Sequence, residues 1–158
     1  MAKLIICVMY SDGKLFEEVR KGLEESFGRI VDSVTYDFNV TSYYEEEMGK
    51  GLKKTILSFE RIITENKLAK IKRYTDIIED KYRINSKRRV NIDPGYLTEK
   101  ELVLASNKKS AYKQDLGLNV YAHLTLKFEN GAYVTTHRTY PDFKKEEVQK
   151  FLLKNIKK

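Results

Sequence analysis

Residues 3–10 form a nearly unbroken apolar run, the pattern of a strand buried on both faces. Ser11, Asp12 and Gly13 then mark a turn into a helix. Its apolar positions are Leu15, Phe16, Val19, Leu23 and Phe27, and Gly28 serves as the C-terminal cap. Val34, Tyr36, Phe38 and Val40 alternate with Thr35, Asp37 and Asn39, which predicts a half-buried strand. A third strand is predicted over residues 52–63. Thr55, Leu57 and Phe59 lie on one of its faces, and Lys54, Ile56, Ser58 and Glu60 on the other. Leu68, Ile71, Thr75, Ile78 and Tyr82 mark a second amphipathic helix. Residues 88–93 read as a strand with Val90 and Ile92 inward.

Beyond this point, Asp93, Pro94, Gly95 and Tyr96 read as a type II turn. Residues 102–106 predict a fifth strand. Residues 120–128 and 132–139 flank Asn130-Gly131, the chain's strongest local hairpin signal. Asp142 is placed to cap a last helix with the apolar stripe Val148, Phe151, Leu152 and Ile156. The order strand, helix, strand, strand, helix, strand is that of a ferredoxin-like βαββαβ core. The sequence therefore predicts an α+β fold with such a core, extended by a β-hairpin region and a C-terminal helix. At 158 residues it is one domain's worth of chain, taken as 1–158.

Strand alternation nominates a site. If the helices cover one sheet face, the polar residues of the strands collect on the other. That expectation gathers Asp37, Ser58, Glu60, Arg89, Asn91 and Asp93 on an open face, over which the hairpin could fold to make a pocket. Carboxylates beside an arginine and an amide suit a phosphate compound or nucleotide, with Asp37, Glu60 and Asp93 as candidate ligands for Mg²⁺. The alternative is a solvated face with cross-strand ion pairs.

The connection over residues 43–51 is the second candidate. It carries Tyr43, Tyr44, three acids including Glu47, and two glycines. Lys50 and Thr55 do not have the spacing of a phosphate-binding loop, because Thr55 falls inside a predicted strand. A helical turn ending at Gly49 is the plainer reading. In the hairpin, pairing Glu129 with Ala132 sets His123 opposite Arg138 and Leu124 opposite His137. The two histidines then point to opposite faces, and with one cysteine in the chain a zinc site is not expected. His123 is the better site candidate of the two. Cys7 lies in an apolar strand, which suits a core residue rather than a nucleophile.

Charge adds a competing reading. The net charge is +7, but residues 1–50 carry −4, residues 51–100 carry +6 and residues 101–158 carry +5. The basic cluster over residues 81–89 could contact RNA phosphates as a non-catalytic binding module. The base-stacking aromatic run of an RRM is missing. A protein–protein adaptor working through an exposed edge strand is a third reading. The single cysteine suits a reducing cytosol. The first residues do not resemble a signal peptide, and no apolar run reaches the length of a membrane helix.

Several segments carry a family likeness. They are residues 43–49, Ser58-Phe59-Glu60, residues 89–97, 102–106 and 120–126, and Thr139-Tyr140-Pro141-Asp142. In this order, across essentially the whole chain, they resemble the prokaryotic domain-of-unknown-function family 4416, whose members are sometimes labelled GTP-binding. The resemblance implies a His-Arg pair where this chain has Tyr112-Lys113, and an acidic residue where His123 stands.

Overall fold

The computed structural model describes residues 2–156. They form an α+β fold with one large antiparallel sheet of eight strands and four helices. The strands are β1 (Ala2–Tyr10), β2 (Ile30–Asp37), β3 (Lys53–Ile63), β4 (Val90–Leu97), β5 (Glu101–Ser106), β6 (Gln114–Asp115), β7 (Tyr121–Glu129) and β8 (Ala132–Val134). The helices are α1 (Gly13–Phe27), α2 (Glu45–Met48), α3 (Leu68–Lys81) and α4 (Glu146–Ile156). The sheet runs β2-β3-β1-β4-β5-β7-β6, with β8 paired to β7.

Both faces of the sheet are covered. On one, α1 and α3 bury Leu15, Val19, Leu23, Leu68 and Ile71 against Leu4, Ile6, Val8, Leu57, Phe59 and Ile92. On the other, Phe143, Val148, Phe151 and Leu152, from α4 and the 3-10 turn before it (Pro141–Lys144), pack on Ile5, Cys7, Ile56, Leu102 and Leu126. This double covering is why all nine residues of β1 are buried, as its unbroken apolar run requires. It also corrects the expectation of an open polar face, since α4 closes most of it. Strand β2 responds accordingly. Val34 and Tyr36 pack on the α4 side with Ile56, so Thr35 and Asp37 face the other way, opposite to the expected assignment.

Residues 93–96 do not form a turn; they continue β4, with Pro94 opposite Ile6 and Gly95 opposite Ile5. The ladder to β5 begins only at Gly95, so Pro94 lies outside it and its missing N–H removes no bond there. Gly95 serves close approach: a Cβ at this position would lie 2.3 Å from the Val103 carbonyl oxygen. The expected hairpin turn is present, with Asn130 and Gly131 both at positive φ, and Glu129 pairs with Ala132. Its second strand stops at Val134, well short of the expected residue 139.

Candidate functional site

A cleft of about 470 Å³ opens at one end of the α4-side face. Three segments wall it: the connection carrying α2, the β5–β6 connection with Asn107 and Lys108, and the turn at Tyr140-Pro141-Asp142. The first wall is seated by apolar contacts. Met48 and Leu52 pack on Met9 of β1, joined by Phe38 and Tyr44, whose rings meet edge-on at 5.9 Å. The Phe38 N–H donates to the Leu52 carbonyl at 2.8 Å and closes the loop. A helical turn ends at Gly49 with φ 90°, as the sequence predicts.

Ion pairs fasten this wall to the sheet. The Glu47 carboxylate accepts from the backbone N–H, Nε and Nη2 of Arg88, each at 2.9 Å. These charge-assisted bonds from Arg88 hold the Glu47 carboxyl below its ordinary range. Arg88 Nη1 in turn donates to Asn91 Oδ1 at 2.6 Å, and Asn91 Nδ2 to Asp93 Oδ2 at 2.9 Å. Lys72 of α3 completes the chain, donating to Asp93 Oδ1 at 3.1 Å and to the Ile92 carbonyl at 3.0 Å. Burial pushes the Asp93 carboxyl up, but the charges of Lys72 and Lys54 outweigh it and hold it below the usual carboxylate range.

A second buried pair lies on the other side of the cleft. Lys54 Nζ stands 2.8 Å from Asp142 Oδ2, which also accepts from the Tyr36 hydroxyl at 2.5 Å. Desolvation lowers the Lys54 pKa, yet the Asp142 charge and its hydrogen bond leave it raised, so the ammonium is charged. Asp142 was expected as a helix cap; it lies instead in a 3-10 turn and serves as Lys54's counter-charge. Burial pushes the Tyr36 phenol well above its ordinary value.

Of the sequence candidates, Tyr43, Tyr44, Asn91 and Asp93 line the cleft, and Glu47 anchors its wall. His123 stands behind that lining. Its ring stacks on Tyr140 at 4.3 Å and meets Tyr112 edge-on at 5.6 Å, and its Nε2 lies 2.9 Å from the Arg138 carbonyl. That bond makes Nε2 the donor, and Nδ1 is buried without a partner. Desolvation lowers the His123 pKa, and Lys113 and Arg138 add to the effect. Tyr112, Lys113 and His123 therefore belong to one wall of the cleft and its backing.

The other candidates are not gathered. Asp37 is exposed and paired to Lys53 at 2.8 Å, because β2 is turned over. Ser58 is fully buried, its hydroxyl without a partner. Glu60 is exposed, 3.8 Å from Arg29. Arg89 lies before β4 begins and pairs with Asp12, the N-cap of α1, at 2.9 Å. Asp37, Glu60 and Asp93 thus share no Mg²⁺ site. Among the described residues, no group of three or more His, Cys, Asp or Glu is placed to hold a metal ion.

Lys72 and Lys108 line the cleft without being nominated by the sequence; Arg88 is nominated there only within the basic cluster over residues 81–89, and Lys54 only as a polar position of the third strand. One signal was present. Lys72 and Glu79 fall on the buried stripe of α3 with Leu68 and Thr75, where charged residues are rare unless paired. Glu79 accepts from the Ile92 N–H at 2.6 Å and stands 3.8 Å from Arg88. Desolvation pushes its carboxyl up to about 7.

Across residues 1–158 the chain matches the model of a protein family, the domain of unknown function DUF4416, and it belongs to that family. No curated protein and no solved structure matches it.

Proposed function

We propose that this member of the DUF4416 family binds a small phosphate-bearing compound, of the nucleotide class, in the cleft between the α2 connection and the β5–β6 connection. One observation carries the reading. Five cationic side chains (Lys54, Lys72, Arg88, Lys108 and Lys113) line the cleft against two carboxylates, Asp93 and Asp142. Its volume is that of a small-molecule site. Tyr43, Tyr44, Tyr112 and Tyr140 add flat apolar surface beside the charges. An anion with an aromatic or sugar portion complements both features.

The strand order β2-β3-β1-β4, antiparallel throughout, supports a ferredoxin-like reading of the first four strands, with the later strands and α4 as the extension. Cys7, buried and without a disulfide, fits a reducing cytosol, where we place the protein. Among the described residues, no helix is long and apolar enough to cross a membrane.

RNA binding by residues 81–89 draws support from the charge asymmetry. Three of its arginines are already committed: Arg83 to Asp80, Arg88 to Glu47 and Arg89 to Asp12. That leaves less free charge for phosphates than the sequence count suggests.

A thermal-shift panel of nucleotides, with and without Mg²⁺, tests the cleft reading. A ligand at about a hundred times its Kd adds roughly 2.7 kcal/mol and raises the Tm measurably. A Tm unmoved by every nucleotide at millimolar concentration contradicts the reading.

A further inference from the structure

We infer that the cleft seats its ligand's anionic group on Lys54, a hydrogen-bond donor of the same ligand on Asp93 and its flat ring on the tyrosine walls, which together select a nucleotide over a sugar phosphate or free phosphate. The inference rests on the reading of the cleft as a phosphate-ligand site and specifies how that ligand lies.

The five cations of the cleft are not equivalent. Lys72 has three N–H donors and three acceptors: the Ile92 carbonyl at 3.0 Å, Asp93 Oδ1 at 3.1 Å and Asp76 Oδ1 at 3.4 Å. Arg88 spends Nε and Nη2 on Glu47 and directs Nη1 to Asn91. Lys113 donates to Ser106 Oγ and to the Lys108 carbonyl, and Lys108 stands over the exposed Tyr43 ring at 5.1 Å. Lys54 differs from all four. Its side chain is 9% exposed, and among the described residues Asp142 is its single oxygen partner. The rings of Phe143 and Phe38 lie 4.8 and 5.4 Å from its ammonium. Two N–H donors of a desolvated cation are left for an anion, in a setting where charge-assisted bonds are strong.

Asp93 supplies the opposite character. Its two oxygens accept from Lys72 and Asn91, but a carboxylate offers about four lone-pair sites. The side chain is 32% exposed at the cleft, so acceptor capacity remains there. A carboxylate with lone pairs to spare accepts N–H or O–H. In the sheet, Lys54 and Asn91 both flank Met9, on opposite sides of β1. Lys54 and the Asn91–Asp93 pair thus spring from strands two spacings apart, roughly 10 Å. A mononucleotide carries both functions, a phosphate at one end and base N–H groups at the other. The tyrosine walls favour its flat ring over a sugar alone.

Titration calorimetry with AMP, ribose 5-phosphate and inorganic phosphate tests this on the intact chain. Wild-type protein is expected to bind AMP about tenfold or more tighter than ribose 5-phosphate, the worth of a stacked, hydrogen-bonded base. Lys54→Met is expected to weaken both by about tenfold or more, the loss of a charge-assisted bond. Lys150→Met, an exposed α4 charge outside the cleft lining, changes neither by more than about threefold. Asp93→Asn brings AMP down toward ribose 5-phosphate. Should Lys54→Met fail to fold, Lys54→Met with Asp142→Asn removes both charges together, and the wild-type ligand ranking needs no variant. Equal AMP and ribose 5-phosphate affinities, or AMP binding indifferent to Lys54, overturns the inference and leaves the phosphate-site reading intact. Wild-type protein that binds none of the three overturns both.

Discussion

Lys54 Nζ and Asp142 Oδ2 lie 2.8 Å apart, both nearly sealed from solvent, and tie β3 to the turn that begins the C-terminal layer. Removing one member strands a buried charge. Asp142→Asn is therefore expected to destabilise the fold by about 3–5 kcal/mol. The double variant Lys54→Met, Asp142→Asn is expected to recover much of that loss, because no unpaired charge remains. Urea denaturation of the two single variants and the double variant measures the coupling. Additive losses in the double variant contradict this account of the pair.

Gly95 fixes the seam between β4 and β5. A methyl group there meets the Val103 carbonyl oxygen at 2.3 Å and Leu104 Cδ2 at 2.6 Å. Gly95→Ala is expected to lower stability by about 1–3 kcal/mol through overpacking. A calorimetric Tm checks it, and an unchanged Tm contradicts the close approach.

Glu79 gives the protein a particular pH dependence. Desolvation raises its carboxyl from 4.5 to about 7 in the folded state. The folded state then binds more protons than the unfolded state between these values, so this group's contribution to stability falls as pH rises from about 4.5 to about 7. Glu79→Gln lacks that slope. Its stability relative to wild type is expected to climb across this window and level off above it, by an amount on the order of 3 kcal/mol. Denaturation at a series of pH values reads the difference, and parallel curves contradict the assignment.

Glu47 holds the α2 wall through Arg88. Glu47→Gln is expected to speed amide hydrogen exchange at Met48 and Gly49 while the β1 amides keep their protection. Unchanged exchange over residues 38–52 shows that the apolar contacts of Met48 and Leu52 hold the wall alone.

Much of the fold was legible because local patterns and tertiary demands agree in it. The doubly buried β1, the stripes of α1 and α3, the cap at Gly28 and the Asn130-Gly131 turn follow from spacing and turn chemistry. The failures share a cause in long-range packing. Pro94 and Gly95 carry turn chemistry locally, but Gly95 answers to β5 approaching from the next strand. In β2 the same alternation fits either face, and α4, more than a hundred residues downstream, decides which. The site was half legible for the same reason. Asn91 and Asp93 follow from the strand pattern, whereas Lys54 and Asp142 become a pair only once α4 is folded over the sheet.

The most direct test of the cleft as a ligand site is amide and side-chain chemical-shift mapping of ¹⁵N-labelled protein titrated with AMP. The expected result is saturable shifts confined to the cleft lining, Tyr43, Tyr44, Asn91, Asp93, Ser106 and Tyr112 foremost, with the Lys54 ammonium moving among them. Shifts centred on residues 83–89, or no saturable shift at millimolar AMP, would contradict it.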